Sequence, residues 1–227
     1  MEEREKRIEF TSALSKRETL LAAVGLVMHT AVLPLILAEA LRRGLLTDEE
    51  ANFAAYGVMA VYTVAVLHGF LRRDFDALAD RFFYNIFEVL AGYFALMCFN
   101  LAVNSLLLVF FELNNPNTES VNELVAEGGG MVRATVIFLS PIVEEVLFRG
   151  LLFGSVRKYS RIAAYVFSVA AFAVYHLWSF ILLDAGNLIY LVQYIPAGIL
   201  LCRCYERTNT IWAPMALHAL VNAVSLI

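Results

Sequence analysis

The chain has 227 residues, of which 60% are hydrophobic and 17% charged, and its mean hydropathy is +0.69. An ordinary soluble domain contains about 45–50% apolar residues, so this composition excludes a typical soluble globular protein. The formal net charge is −4, and the sequence carries neither a sustained basic stripe nor a nucleic-acid reader motif, so we expect no nucleic-acid partner. We predict an all-α, polytopic transmembrane helical bundle that lies in the lipid bilayer.

Seven apolar segments follow one another along the chain, each close to the length that a bilayer crossing requires. They are Leu20 to Leu41, Asn52 to Phe70, Asn85 to Phe111, Val132 to Val156, Ile162 to Leu183, Leu188 to Cys204 and Ile211 to Ile227. Among the connections, we predict a charged turn over residues 72–81 and a long surface loop over residues 112–130. There is no internal repeat, so residues 1–227 are predicted to form a single integral membrane domain.

The distribution of basic residues predicts the orientation. Residues 1–19 are polar and are expected to be a cytoplasmic N-terminal segment. With that end inside, the inner connections hold thirteen Lys and Arg residues and the outer connections hold three. Positive charge accumulates on the cytoplasmic side, so we predict about seven spans with the N-terminus cytoplasmic. The compactness of the chain favours a prokaryotic plasma membrane.

The fourth predicted span contains charges that are costly in lipid. Glu144, Glu145 and Arg149 are surrounded by Ile, Phe, Leu and Val, and each charge costs about 3 kcal/mol at the centre of a membrane helix. On a helix, Glu145 and Arg149 lie four residues apart and can pair. Glu144 points about 100° away from that face. We therefore hypothesise that Glu144 is a catalytic base inside the membrane.

Two further polar pairs lie in later spans. Phe172-x-x-x-His176 is in the fifth predicted span, and His218-x-x-x-Asn222 is in the seventh. Polar side chains in a bilayer face the interior of the bundle, so these groups and Glu144 are expected to meet in one polar cavity. Peptide hydrolysis needs such parts: a base for water, donors for the oxyanion and an acid for the leaving amine.

Together the three motifs EExxxR, FxxxH and HxxxN resemble the signature of the CAAX protease and bacteriocin-processing (CPBP, or Abi) family. The resemblance covers residues 132–222, a CPBP-like catalytic core. It implies an intramembrane endopeptidase of the glutamate type that cuts a membrane-associated, possibly lipidated protein or peptide without a metal or cofactor. It implies that Glu144 activates water with help from His176. It also implies that His218 and Asn222 stabilise the oxyanion, and that Glu145 and Arg149 shape the site.

Other interpretations of the same residues stay open. The Glu pair could be a structural ion-pair cluster, and two His with two Glu could bind zinc, although the HExxH motif is absent. A non-catalytic scaffold that regulates a sensor kinase or secretion partner is the main functional alternative, and a transporter is a third. His29 and His68 are interpreted as packing or interface residues. Asn100 and Asn104 are interpreted as contacts between helices, with the alternative that they line the cavity, because they share one helix face.

Helix geometry creates one conflict within this prediction. At 1.5 Å per residue, His176 lies about 10 Å away from the depth that Glu144 and His218 share. Either residues 157–164 form part of a longer, tilted or re-entrant helix, or the fifth span begins elsewhere than at Ile162, and we favour the second explanation.

Overall fold

The computed structural model describes residues 10–110 and 115–226, which form helices and connections with no β-strand among them. We number nine helices: α1 (Lys16–Arg42), α2 (Asp48–Val66), α3 (His68–Asp80), α4 (Phe82–Phe110), α5 (Pro116–Ala134), α6 (residues 135–157), α7 (Arg161–Leu183), α8 (Leu191–Thr208) and α9 (Trp212–Ser225). A short 3-10 helix, Ala185–Tyr190, precedes α8. The prediction of an all-α membrane bundle is confirmed.

Four stretches are long and apolar enough to cross a membrane: α1, α4, α7 and Ala185–Thr208, which contains α8. Helices α2 and α3 meet at an angle of 79°. They would make a fifth span if together they form one broken crossing. Besides this bent pair, two of the seven predicted spans do not qualify. The middle of helix α6 carries three charged residues, Glu144, Glu145 and Arg149, and α9 has only 14 residues. The count of seven and the cytoplasmic N-terminus stay predictions.

The structure contradicts two predicted connections. Residues 72–81 are not a turn, because most of them belong to α3, which buries Phe70 and Leu71. The predicted loop over residues 112–130 is largely α5, although residues 112–114 lie outside the described residues. Asn115 caps this helix by accepting from the N–H groups of Asn117 and Thr118, and Pro116 occupies the first helical position, where a missing N–H costs nothing. A break remains at Gly129, whose φ of 57° is non-helical.

Helix α6 combines α-helical and π-helical turns. The segment Ser140–Glu145 is α-helical, and it lies between the π-helical segments Thr135–Leu139 and Val146–Phe153. Pro141 has no N–H, so the π-helical hydrogen bond that would reach the Val136 carbonyl cannot form. Two side chains donate to that carbonyl instead, Ser140 from its own helix at 3.1 Å and Asn222 from α9 at 2.8 Å. This wide, proline-containing turn leads directly to Glu144.

The C-terminal helices enclose the site. Helix α8 packs against α7 and α4, and α9 packs against α4 and α6. Gly198 allows α8 to approach α7 closely, since a Cβ atom there would lie 2.9 Å from a methyl group of Val169. Small residues at such crossings let membrane helices pack tightly. Phe148, Phe172 and Leu217 form a buried cluster from α6, α7 and α9 beside the site.

Candidate active site

A cavity of about 590 Å³ opens between the helices, and it is lined by residues from both halves of the chain. Four of the six predicted site residues line it: Glu144, His176, His218 and Asn222. The other two, Glu145 and Arg149, are fully buried. They contact His218 and Phe172, which line the cavity. The geometry of each group defines what it can do.

Glu144 is 2% exposed, and its two carboxylate oxygens have different surroundings. Oε1 accepts a hydrogen bond of 2.9 Å from the hydroxyl of Tyr56. Oε2 has no hydrogen-bond partner among the described residues. It faces Nε2 of His176 at 3.7 Å and Nε2 of His218 at 4.0 Å, and both distances exceed a direct hydrogen bond.

The protonation of His176 follows from its other contact. Its Nδ1 lies 2.8 Å from the carbonyl oxygen of Phe172. A carbonyl oxygen can only accept, so Nδ1 carries the proton, and Nε2 of the neutral ring is an acceptor. The ring also stacks on Tyr194 at a centroid distance of 4.8 Å. Glu144 Oε2 and His176 Nε2 are thus two acceptors that face each other across a gap.

Glu145 orients His218 and pairs with Arg149. Its Oε1 accepts from Nδ1 of His218 at 2.8 Å and from Nη1 of Arg149 at 3.0 Å. Arg149 also donates to the Gly198 carbonyl and lies 4.3 Å over the ring of Phe172. Because Nδ1 of His218 donates to Glu145, its Nε2 is directed at Glu144. The two adjacent glutamates therefore have separate positions, one in the cavity and one behind it.

The carboxamide of Asn222 donates a hydrogen bond from Nδ2 to the Val136 carbonyl, which the missing N–H of Pro141 leaves without its π-helical partner. This contact ties α9 to α6. The carboxamide has a second N–H, and Asn222 lines the cavity. Its place is therefore compatible with both a structural contact and an oxyanion donor.

Sequence reasoning missed three cavity residues from the helices around the motifs. Tyr56 in α2 and Tyr175 in α7 hydrogen-bond to each other at 2.9 Å. His29 in α1, interpreted above as a packing residue, lines the cavity and lies 2.6 Å from the Tyr175 hydroxyl. The only signal in the sequence was a polar side chain within each apolar segment. Asn100 also lines the cavity, whereas Asn104 accepts from Gln193 in α8.

The expected shift in the start of the fifth span is wrong. Helix α7 begins at Arg161, one residue before the prediction, and His176 still reaches Glu144. The depth calculation took Val132 as the start of the helix that contains Glu144, whereas the helical backbone extends from there back to the break at Gly129.

Among the described residues, no three His, Cys, Asp or Glu side chains are grouped so that they could hold a metal ion. The three cysteines are free thiols, with Cys98 exposed and Cys202 and Cys204 buried. The polar groups that line the cavity include a carboxylate, imidazoles, phenols, aliphatic hydroxyls and carboxamides.

These features define a helical membrane protein with a buried acid–imidazole site in its C-terminal half. Residues 130–224 match the family described as type II CAAX prenyl endopeptidase Rce1-like, which covers all three motifs. This match confirms the resemblance of the three motifs to the CAAX protease (CPBP) family, and it covers less than half of the chain.

One curated relative supports the same classification. The chain is 27% identical over 112 residues to a protein of Bacillus subtilis (strain 168) named "Putative membrane peptidase YdiL". The alignment covers 49% of this chain and 42% of the relative, so the chain matches less than half of that protein's length. No solved structure matches the chain.

Proposed function

We propose that the protein is an intramembrane endopeptidase in which Glu144 activates the attacking water. The observation that carries this proposal is the unpaired, buried Glu144 Oε2, which faces two imidazole Nε2 atoms at the wall of the cavity. A water molecule can donate one proton to Oε2 and the other to Nε2 of His176. Its oxygen lone pairs then point away from both bases, toward a substrate carbonyl carbon.

The reaction would proceed by general acid–base catalysis. Water oxygen bonds to the carbonyl carbon of the scissile amide while its proton passes to Glu144. The resulting oxyanion is stabilised by Asn222, through its second N–H, and by His218 when its ring carries two protons. Protonation of the amide nitrogen by Glu144 or His176 lets the C–N bond break. One product gains OH and the other gains H, which balances hydrolysis.

The proposed substrate is a membrane-associated protein or peptide, such as one with a lipidated CAAX terminus, and the proposed location is a prokaryotic plasma membrane. The matched family description and the bacterial relative support this assignment. A mechanism that needs no metal is also part of the proposal, since the bases and donors it requires are side chains of the chain itself.

Glu144→Gln tests the mechanism, because the amide keeps the shape of the side chain but cannot accept the proton. Membranes from cells with the wild-type protein and with the variant are compared by N- and C-terminal proteomics. We expect new termini with the wild type and a loss of cleavage of at least about 100-fold in the variant. Glu39→Gln is the matched control and should cleave normally, because the Glu39 side chain is partly exposed and, among the described residues, its ion pairs are with Arg42 and Arg43.

Cleavage by a folded Glu144→Gln protein at the wild-type rate would overturn the glutamate mechanism. If a chelator abolishes cleavage and added zinc restores it, the reaction depends on a metal instead. If a cellular phenotype survives substitution of Glu144, His176 and His218, the protein acts as the non-catalytic scaffold.

A further inference from the structure

Glu144 is connected to α1 by a chain of hydrogen bonds that lies partly outside the family-matched region. The Tyr56 hydroxyl donates to Glu144 Oε1 at 2.9 Å, the Tyr56 and Tyr175 hydroxyls are 2.9 Å apart, and Tyr175 lies 2.6 Å from Nε2 of His29. These groups come from three helices, α1, α2 and α7. Two of them, His29 and Tyr56, precede residue 130, where the family match begins.

The direction of every bond in this chain is fixed by the ionised carboxylate. A carboxylate only accepts, so Tyr56 must use its single proton on Glu144. The Tyr56 oxygen then accepts a hydrogen bond from the hydroxyl of Tyr175, so Tyr175 has no further proton to donate. The Tyr175 oxygen must in turn accept from His29, which assigns the Nε2–H form to that ring.

Packing holds the chain in place. The His29 ring is 6% exposed, and it lies in a π-helical turn, Met28–Val32, within α1. Its centroid is 5.1 Å from the Tyr56 ring and 5.6 Å from the Tyr175 ring. Single π-helical turns inside α-helices often occur at functional sites, and here the turn carries the terminal donor of the chain.

We propose that His29, Tyr175 and Tyr56 are positioning residues that make Oε2 the basic oxygen of Glu144. This inference rests on the proposed function. The hydrogen bond from Tyr56 occupies Oε1 of the carboxylate. The proton taken from water therefore binds at Oε2, next to His176 and His218. When Oε2 becomes protonated, Oε1 is still an acceptor, and the chain keeps its direction through the reaction.

The first test is the kinetics of Tyr56→Phe and Tyr175→Phe on a quenched fluorogenic peptide that ends in a farnesylated Cys-Ala-Ala-Xaa sequence. Tyr56→Phe removes a hydrogen bond to a charged group, so kcat should fall about tenfold. KM should stay unchanged, because these hydroxyls contact Glu144 and each other rather than the substrate. Tyr62→Phe is the matched control in α2, since its hydroxyl binds the Leu21 carbonyl outside the cavity, and its kcat should equal that of the wild type.

The second test asks whether the three residues act as one unit. In the Tyr56→Phe background, adding Tyr175→Phe should cause little further loss, because the chain is already disconnected from Glu144. His29→Gln keeps an N–H donor, whereas His29→Met has the same length and no donor. We expect His29→Gln to retain more kcat than His29→Met. Additive losses, a change in KM alone, or equal kcat for Gln and Met would each overturn the proposal.

A spectroscopic readout separates this proposal from the proposed function. The infrared band of the Glu144 carboxyl group, identified by its loss in Glu144→Gln, should shift in Tyr56→Phe and not in Tyr62→Phe. This shift is expected whether or not any peptide is cleaved. An unshifted band overturns the positioning role. A shifted band with no Glu144-dependent cleavage supports the hydrogen-bond chain and refutes only the protease.

Discussion

At the scale of single residues, the buried pair of Glu145 and Arg149 is the most exacting feature of the site. Both side chains are fully buried, and they are 3.0 Å apart. Arg149→Met would leave Glu145 with an uncompensated buried charge, so the free energy of unfolding should fall by about 3–5 kcal/mol. Unfolding in mixed detergent micelles measures this loss.

Two further variants test whether the uncompensated charge causes that loss. Arg133→Met removes an exposed arginine just before α6, and it should change the free energy of unfolding by less than about 0.5 kcal/mol. Adding Glu145→Gln to Arg149→Met removes the orphaned charge and should restore part of the stability. No recovery in the double variant would mean that lost packing, rather than charge, causes the defect.

Residue spacing predicted much of the cavity but not all of it. Glu144, His176 and His218 share the cavity that their positions on separate helices suggested. The i, i+4 spacing also indicated the Glu145–Arg149 pair. Periodicity reports which side chains share a face of one helix, but not which face meets another helix. Tyr56, Tyr175 and His29 could not be connected from sequence, because their contacts depend on how α1, α2 and α7 pack.

At the scale of secondary-structure elements, Gly129 interrupts the helical run that leads to the site. Its φ of 57° and ψ of −122° suit glycine and are strained for any residue with a Cβ. Apart from its chain neighbours, no heavy atom of the described residues lies within 4 Å of the Cβ that an alanine would add, so backbone strain is what opposes Gly129→Ala. We expect a loss of about 1–3 kcal/mol of stability, measured by thermal unfolding in detergent.

Gly57 is the matched control for this prediction. It lies inside α2 and has equally open space around the added Cβ, but its backbone is helical. Gly57→Ala should therefore stabilise the protein by about 0.5–1 kcal/mol, because alanine loses less backbone entropy in a helix. If both substitutions raise the unfolding temperature, the break at Gly129 is not required by the folded state.

Elements were predictable where apolar runs are long and uninterrupted. The fifth predicted span begins one residue from the start of α7 and ends with it. Predictions failed where polar composition was equated with a loop, as in α3 and α5. Asn115-Pro116 is a helix-start signal, but the Asn-rich, acidic sequence around it resembles a loop. Within the first π-helical segment of α6, the Val136 carbonyl accepts from Asn222 of α9, a contact that no local pattern could show.

At the scale of the whole molecule, one aspartate joins three distant parts of the chain. Asp74 in α3 is 4% exposed. Its carboxylate accepts from the Ser12 hydroxyl at 2.5 Å and from the Ile211 N–H at 2.7 Å. The Tyr205 hydroxyl donates to the Ser12 carbonyl at 2.6 Å. The segment before α1 is thereby attached to α3 and to the connection between α8 and α9, which leads to His218.

Asp74→Ala should release this attachment. The variant leaves the buried Ile211 N–H without its acceptor, and the Ser12 hydroxyl keeps only the Tyr205 hydroxyl at 2.9 Å, which should cost about 2–3 kcal/mol of stability. Trypsin should also cut after the exposed Lys16 faster than in the wild type, because the preceding segment is no longer held. Asp76→Ala, at an exposed position of the same helix, should change neither property. Unchanged stability and unchanged cleavage in Asp74→Ala would show that the N-terminal segment is held by its other contacts, and that the C-terminal helices keep their position without it.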